Sequence, residues 1–170
     1  MNELPPLLKL SRETIVRSQR LDYALVSSLE RDPLLGERLE RLRTIPGVGP
    51  ITALTWALEI GDVSRFQSVK QAISYCGLCS AERSSADKLV RMPISKQRNK
   101  HIQQTLVEAA KLAPRYSHEL ALVYERERQR GNKNRATLAV ARKMVAYMLA
   151  VERRKQDFVP AEQLGGTAAA

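Results

Sequence analysis

Apolar residues in this chain recur mostly at helical rather than alternating spacing. From about Leu7 to Arg31, the positions Leu10, Val16, Leu21, Leu25 and Leu29 form one drifting stripe with charges between them. That pattern predicts a long amphipathic helix, whose weak heptads suit an arm, a coiled-coil strand or a core helix. A second helix restarts at Asp32 and Pro33 and runs to about Arg43: aspartate is a natural N-cap, and proline at the first helical position sacrifices no hydrogen bond. After a break at Pro46, Gly47, Gly49 and Pro50, an apolar helix spans Ile51 to Ile60, followed by a short one from Ser68 to Tyr75. The region from Cys76 to Pro93 is polar, irregular and cationic, with room for a short hairpin. Ser95 is the expected cap of a helix from about Lys96 to Leu112, with Ile102, Leu106, Ala109 and Ala113 facing the core and Pro114 ending it. Helices from His118 to Arg130 and from Arg135 to Arg153 complete the set, the last burying Leu138, Ala141, Val145 and Met148. The expected fold is all-α, a multi-helix domain with a long N-terminal helix and an irregular basic loop. Its expected divisions are a helical arm or coiled-coil remnant over 1–32, the main domain over 33–155 and a flexible tail over 156–170.

Charge changes the picture. The chain has 170 residues and a net charge of +10. Residues 1–44 are nearly balanced, with eight Lys/Arg against seven Asp/Glu. Residues 83–103 carry six cations against Asp87 alone, and 126–143 carry seven against Glu127 alone. Such concentration points to a polyanion, with nucleic acid as the expected partner. No apolar run approaches the roughly 20 residues of a membrane span, and the N-terminus lacks the layout of a signal peptide. The expectation is a cytoplasmic protein with no membrane partner.

The two cysteines form one C-x-x-C, Cys76 to Cys79. A closed zinc site needs about four ligands, and only His101 and His118 could supplement the pair, neither at finger spacing. A thioredoxin-like role wants an alternating α/β chain. Reduced, partly buried thiols and no metal site are therefore expected. Trp56 lies on an apolar helix and reads as core.

"IPGVGPITA", Ile45 to Ala53, between two helices has the form of a helix-hairpin-helix. Glycine allows positive φ and lets backbone approach a phosphate with no Cβ between them. Amides at the start of the next helix then face an anion, aided by the helix dipole. Gly47, Val48 and Gly49 are the candidate backbone-binding residues, in contacts that grip a sugar–phosphate chain without reading sequence.

Several separated motifs in order, "LRTIPGVGPITALTWALEIGD", "YCGLCSAERSSADK", "ISKQRNKHIQQTLVEAA" and "RGNKNRATLAVARKMVAYMLAV", resemble one family. From about Leu34 to Val151 the chain resembles the C-terminal transposase domain of the insertion-sequence family called IS-one-ten, recombinases guided by a bridge RNA. The resemblance implies a serine nucleophile in a loop after Y-x-G-L, matched here by Tyr75, Gly77 and Leu78. Ser85, followed by Ala86 and then Lys88, matches that serine, and Ser84 is the second choice. The family's I-T/S-K-x-G-N pattern falls on Ile94, Ser95, Lys96 and Asn99, and its G-N-K on Gly131, Asn132 and Lys133. Ala86 stands where many members have glycine, and Arg98 replaces the glycine before Asn99. The resemblance also implies a RuvC-like domain with a DEDD carboxylate set binding divalent metal. These residues supply neither, so no cofactor is expected in this chain.

A serine hydroxyl attacking a phosphodiester needs cations and oriented amides around the developing charge. Arg83, Lys88, Arg91 and Lys96 are the candidates near it, and Asn99, Arg130, Lys133 and Arg135 are further candidates for gripping DNA or guide RNA. The expected function is DNA binding and serine-mediated strand transesterification in transposition. Expected associates are DNA, guide RNA, and either a homo-oligomer or the RuvC-like domain in trans. The alternative is a non-catalytic helix-hairpin-helix fragment of a truncated transposase that binds DNA or RNA.

Overall fold

A computed structural model describes residues 6–85, 88–94, 99–160 and 163, giving the backbone course alone over Ser80–Ser85 and Lys88–Ile94. Seven α-helices are present among these residues: α1 (Pro6–Leu29), α2 (Pro33–Arg43), α3 (Pro50–Ile60), α4 (Val69–Tyr75), α5 (Lys100–Leu112), α6 (His118–Gln129) and α7 (Lys133–Arg154). Single 3-10 turns at Val63–Arg65 and Ala113–Arg115 join α3 to α4 and α5 to α6. Between α4 and α5 stand two antiparallel strands, β1 (Ser80–Ser85) and β2 (Lys88–Ile94). The all-α expectation holds for the core, and the segment expected as an irregular basic region with room for a short hairpin carries a two-stranded antiparallel ladder. No helix among the described residues is long and apolar enough to cross a membrane.

The helix ends follow local chemistry. Asp32 caps α2, its Oδ1 accepting from the amides of Leu34 and Leu35 at 3.0 Å each, with Pro33 next. Ser68, Ser117 and Asn132 cap α4, α6 and α7 in the same manner. One boundary differs from expectation. Helix α5 starts at Lys100 rather than near Lys96, because Asn99 and not Ser95 is its cap, with Oδ1 accepting from His101 and Ile102. Ser95, Lys96 and Arg98 lie outside the described residues.

Helix α7 is the spine of the core. It packs on α2, α4, α5 and α6, and Val140, Ala141, Met144, Val145 and Met148 are fully buried along it. Trp56 of α3 is fully buried, as expected. Its indole N–H donates to Glu152 of α7 at 2.8 Å, and the same carboxylate accepts from Arg38 of α2. Arg38 also donates to the carbonyls of Ala57 and Gly61. This polar cluster ties α2 and α3 to α7 inside a mainly apolar core.

Helix α1 touches the core only at its C-terminal end, against α3, where Val26 is buried and Leu29 half-buried. Leu10, Val16, Leu21 and Leu25 are exposed. The segment expected as a flexible tail begins with an anchored stretch: the Phe158 amide donates to Thr44 Oγ1 at 2.8 Å, and its ring lies 4.6 Å from that of Tyr147.

Candidate nucleic-acid interface and serine hairpin

The turn joining α2 to α3 gives its glycines different duties. Val48 N–H donates to the Ile45 carbonyl at 3.0 Å, closing a turn with Pro46 and Gly47 at its centre. Gly47 has φ of +84°, where a side chain is strained, and a Cβ there would lie 2.6 Å from that of Ala113. Gly47 therefore lets the turn pack against the end of α5. Val48 is buried and its amide is used internally. Gly49 is the residue open to approach: it precedes α3 with no side-chain cap, and a Cβ on it would meet nothing within 4 Å. A groove of about 910 Å3 runs between this turn and α5, with Arg43, His101 and Lys111 among its lining residues.

The serine hairpin is read from its register. Ser85 pairs with Lys88, Ser84 with Leu89, Arg83 with Val90 and Glu82 with Arg91, and an irregularity separates Ser80 from Glu82. Paired residues share a face of the ladder, and faces alternate along each strand. Ser85, Lys88, Arg83 and Val90 thus belong to one face, and Ser84, Leu89, Glu82 and Arg91 to the other. Ser85's face carries two cations, while Ser84's carries one cation and one carboxylate. The Ser85–Lys88 pair is also the terminal pair of the ladder, so Ser85 stands at its far end, roughly 17 Å from Ser80 at 3.3 Å per residue. Ala86 and Asp87 lie outside the described residues.

The foot of the hairpin is tightly held. Gly77, at φ of +68°, ends α4, and Leu78 N–H returns to the Ile73 carbonyl at 3.1 Å. Cys76 and Leu78 are fully buried. Both cysteines are free thiols, and burial pushes that of Cys76 up to about 12. Gln103 of α5 donates to the Gly77 carbonyl, and Arg142 of α7 donates from Nε to the Leu78 carbonyl at 2.8 Å. Neither residue stood out in the sequence, where each was one polar letter in an amphipathic helix. The available signal was its position among core residues, Gln103 beside Ile102 and Arg142 beside Ala141.

Asn99, expected to grip nucleic acid, is engaged within the protein. Besides capping α5 it donates from Nδ2 to the Glu59 carboxylate, which also meets His101 Nδ1 at 3.1 Å. These hydrogen bonds, that from His101 first, lower the Glu59 pKa. Two other acidic residues are likewise occupied: Asp62 accepts from Ser64, and Glu108 pairs with Lys111. Among the described residues no three His, Cys, Asp or Glu side chains converge to hold a metal ion.

The cations after Tyr124 gather at the α6–α7 corner. Arg126, Arg130 and Arg135 lie 3.9, 3.8 and 3.0 Å from Glu127, whose side chain is 16% exposed while theirs are more than half exposed. Lys133 opens α7 beside them, exposed. One carboxylate thus organises three guanidinium groups without neutralising the corner. Along α7, Lys133 and Arg142 stand about 14 Å apart at 1.5 Å per residue, so one helix supports both the cationic corner and the hairpin foot.

Comparison with known proteins finds relatives among transposases and a pilin gene-inverting protein. The transposase for insertion sequence element IS1111A of Coxiella burnetii is 29% identical over 126 residues, 72% of this chain and 35% of its own length. A pilin gene-inverting protein of Moraxella bovis is 29% identical over 142 residues, 82% of this chain and 44% of its own. The transposase for insertion sequence element IS1328 of Yersinia enterocolitica is 36% identical over 76 residues, 45% of this chain and 23% of its own. The chain spans less than half the length of each of these relatives. The family pattern described as Transposase IS116/IS110/IS902 matches residues 39–125, from within α2 through the glycine turn, the hairpin and α5 into α6. With just over half of its residues inside that pattern, the chain belongs to the IS116/IS110/IS902 transposase family.

Proposed function

We propose that this chain is the part of an insertion-sequence transposase that grips DNA by its sugar–phosphate backbone and presents Ser85 for strand transesterification. The observation that carries the reading is the hairpin register, with Ser85 in the terminal pair opposite Lys88 and on the same face as Arg83. A hydroxyl in the terminal pair of a ladder can enter an active site completed by another domain. Cations on its face offset the negative charge that grows on the phosphate oxygens.

The chemistry balances as an exchange of esters. Ser85 Oγ attacks a backbone phosphorus, a P–O bond to serine forms, and the bond to a deoxyribose oxygen breaks. The serine proton ends on the departing oxygen by way of an acid–base pair. A deoxyribose hydroxyl later attacks the phosphoserine and frees the serine. Each step trades one phosphoester for another, so no nucleotide energy source is required. The described residues offer no cluster of three or more His, Cys, Asp or Glu side chains to hold a metal ion. Divalent metal, where used, belongs to a RuvC-like domain acting together with this one, and guide RNA is the second polyanion proposed for the cationic surfaces.

Gly49 and the uncapped start of α3 are the proposed backbone grip at the turn, with Arg130, Lys133 and Arg135 as a second grip at the corner. The test mixes the protein with nicked or branched element DNA, divalent metal and a RuvC-like domain. A protein–DNA adduct that survives denaturation is expected for wild type and for Ser84→Ala, and none for Ser85→Ala. An adduct that persists in Ser85→Ala overturns the catalytic assignment, and absence of salt-dependent DNA binding overturns the whole reading.

A further inference from the structure

The geometry points to Gln103 and Arg142 as positioning residues that aim the serine hairpin, an inference that rests on the transesterification reading above. The carbonyls of Gly77 and Leu78, separated from the hairpin by Cys79 alone, are each held by a side chain from a different helix. Gln103 of α5 takes the first and Arg142 of α7 takes the second. Two successive peptide planes pinned from two directions define the direction in which the chain leaves the core. The strands themselves pack chiefly on each other, so their aim is inherited from this root.

Packing does not account for either residue. Gln103 is 9% exposed, next to Ile102 and one turn from Leu106, both fully buried. An amide in such a place costs free energy unless it is hydrogen-bonded, and leucine would fill the space without that cost. Arg142 is half-buried next to the buried Ala141 on the α7 spine, and its Nε bond goes to backbone rather than to a carboxylate. Both side chains are explained by the carbonyls they hold.

The lever is long enough to matter. With a ladder of roughly 17 Å, a tilt of about 10° at the root moves Ser85 by about 3 Å, and misplacement by even 1 Å can cost on the order of 100-fold in rate. Loss of the clamp should therefore lower the rate of adduct formation while leaving DNA affinity nearly untouched.

The variants are Gln103→Leu, which keeps the volume and lacks the donor, and Arg142→Lys, which keeps the charge and lacks Nε. Two measurements are made on each and on the double variant. In the complex that forms the adduct, the double variant should react at least tenfold more slowly at saturating DNA, with Kd for DNA changed less than twofold. By hydrogen exchange of the chain alone, amides of Ser80–Ser85 and Lys88–Ile94 should exchange at least threefold faster, with the centres of α5 and α7 unchanged. A wild-type adduct rate retained by the double variant overturns the inference, as does a loss of rate matched by an equal loss of DNA affinity. If wild type forms no adduct, the transesterification reading fails; unchanged hairpin exchange then sinks the clamp separately, and faster exchange upholds it.

Discussion

Replacing Glu152 with alanine removes the one carboxylate that Trp56 and Arg38 share, and the cost can be worked from its surroundings. The Glu152 side chain is 5% exposed, and its Oε2 accepts from Trp56 Nε1 and from Arg38 Nη2, each at 2.8 Å. Alanine leaves a buried indole N–H without an acceptor, a loss of about 1–3 kcal/mol. It also strips Arg38 of its counter-charge. That side chain is 24% exposed and keeps its bonds to the Ala57 and Gly61 carbonyls, so its share falls below the 3–5 kcal/mol typical of a fully buried broken pair. Together the change should cost about 3 kcal/mol, lowering Tm by about 6–12 °C for a domain of this size. Glu152→Gln retains an acceptor for the indole and should cost about 1 kcal/mol. Urea unfolding followed by fluorescence of Trp56, the only tryptophan, reads both variants at the perturbed site. A Glu152→Ala protein within 0.5 kcal/mol of wild type, a threshold set at the scatter of surface substitutions (about 0.5 kcal/mol), would refute the claim that this cluster locks α2 and α3 onto α7.

Gly47→Ala should destabilise by about 2 kcal/mol or more through positive φ and the clash with Ala113. Gly49→Ala should stay within about 1 kcal/mol in thermal melts, yet weaken DNA binding several-fold if the proposed backbone grip at this turn holds, since its Cβ would stand in that grip. Titrating DNA at several salt concentrations should give a steep logarithmic slope, and Arg130→Gln with Lys133→Gln should reduce it by roughly one unit per residue; an unchanged slope removes the corner from the interface. The Glu59 pKa is depressed by His101 and Asn99 from an ordinary value of 4.5. The stability this contributes is present above that value and is lost as pH falls through the lower folded value. Urea midpoints measured from pH 5 downward should fall more steeply in wild type than in Glu59→Gln, and parallel curves would count against the contact.

How much was legible in the sequence follows from the range of each interaction. Helix period, caps and breakers act over a few residues. Asp32 with Pro33, the Pro-Gly turn at 46–50 and the long stripe of α7 therefore announced the all-α core before any coordinates did. The excess of cations at 83–103 and 126–143 was equally plain, since charge is additive along a chain. The serine motif could be matched by its neighbours in order. The hairpin was harder to read, because strands as short as SAERSS and KLVRMPI carry too few positions for alternation to stand out from a loop.

What only the tertiary structure decided are the duties that depend on residues far away in sequence. Gly47 and Gly49 look alike in the motif, and Ala113 separates them by crowding one and not the other. Asn99 reads as a free polar residue until Glu59, 40 positions earlier, accepts from it. Arg142 counts as one more cation until its Nε meets a carbonyl 64 positions away. Ser85 and Ser84 are adjacent letters, and strand register alone assigns them to opposite faces of the ladder. Periodicity records which side of an element is buried; it carries no label for the atom waiting on the other side, and that atom determines what each polar residue does.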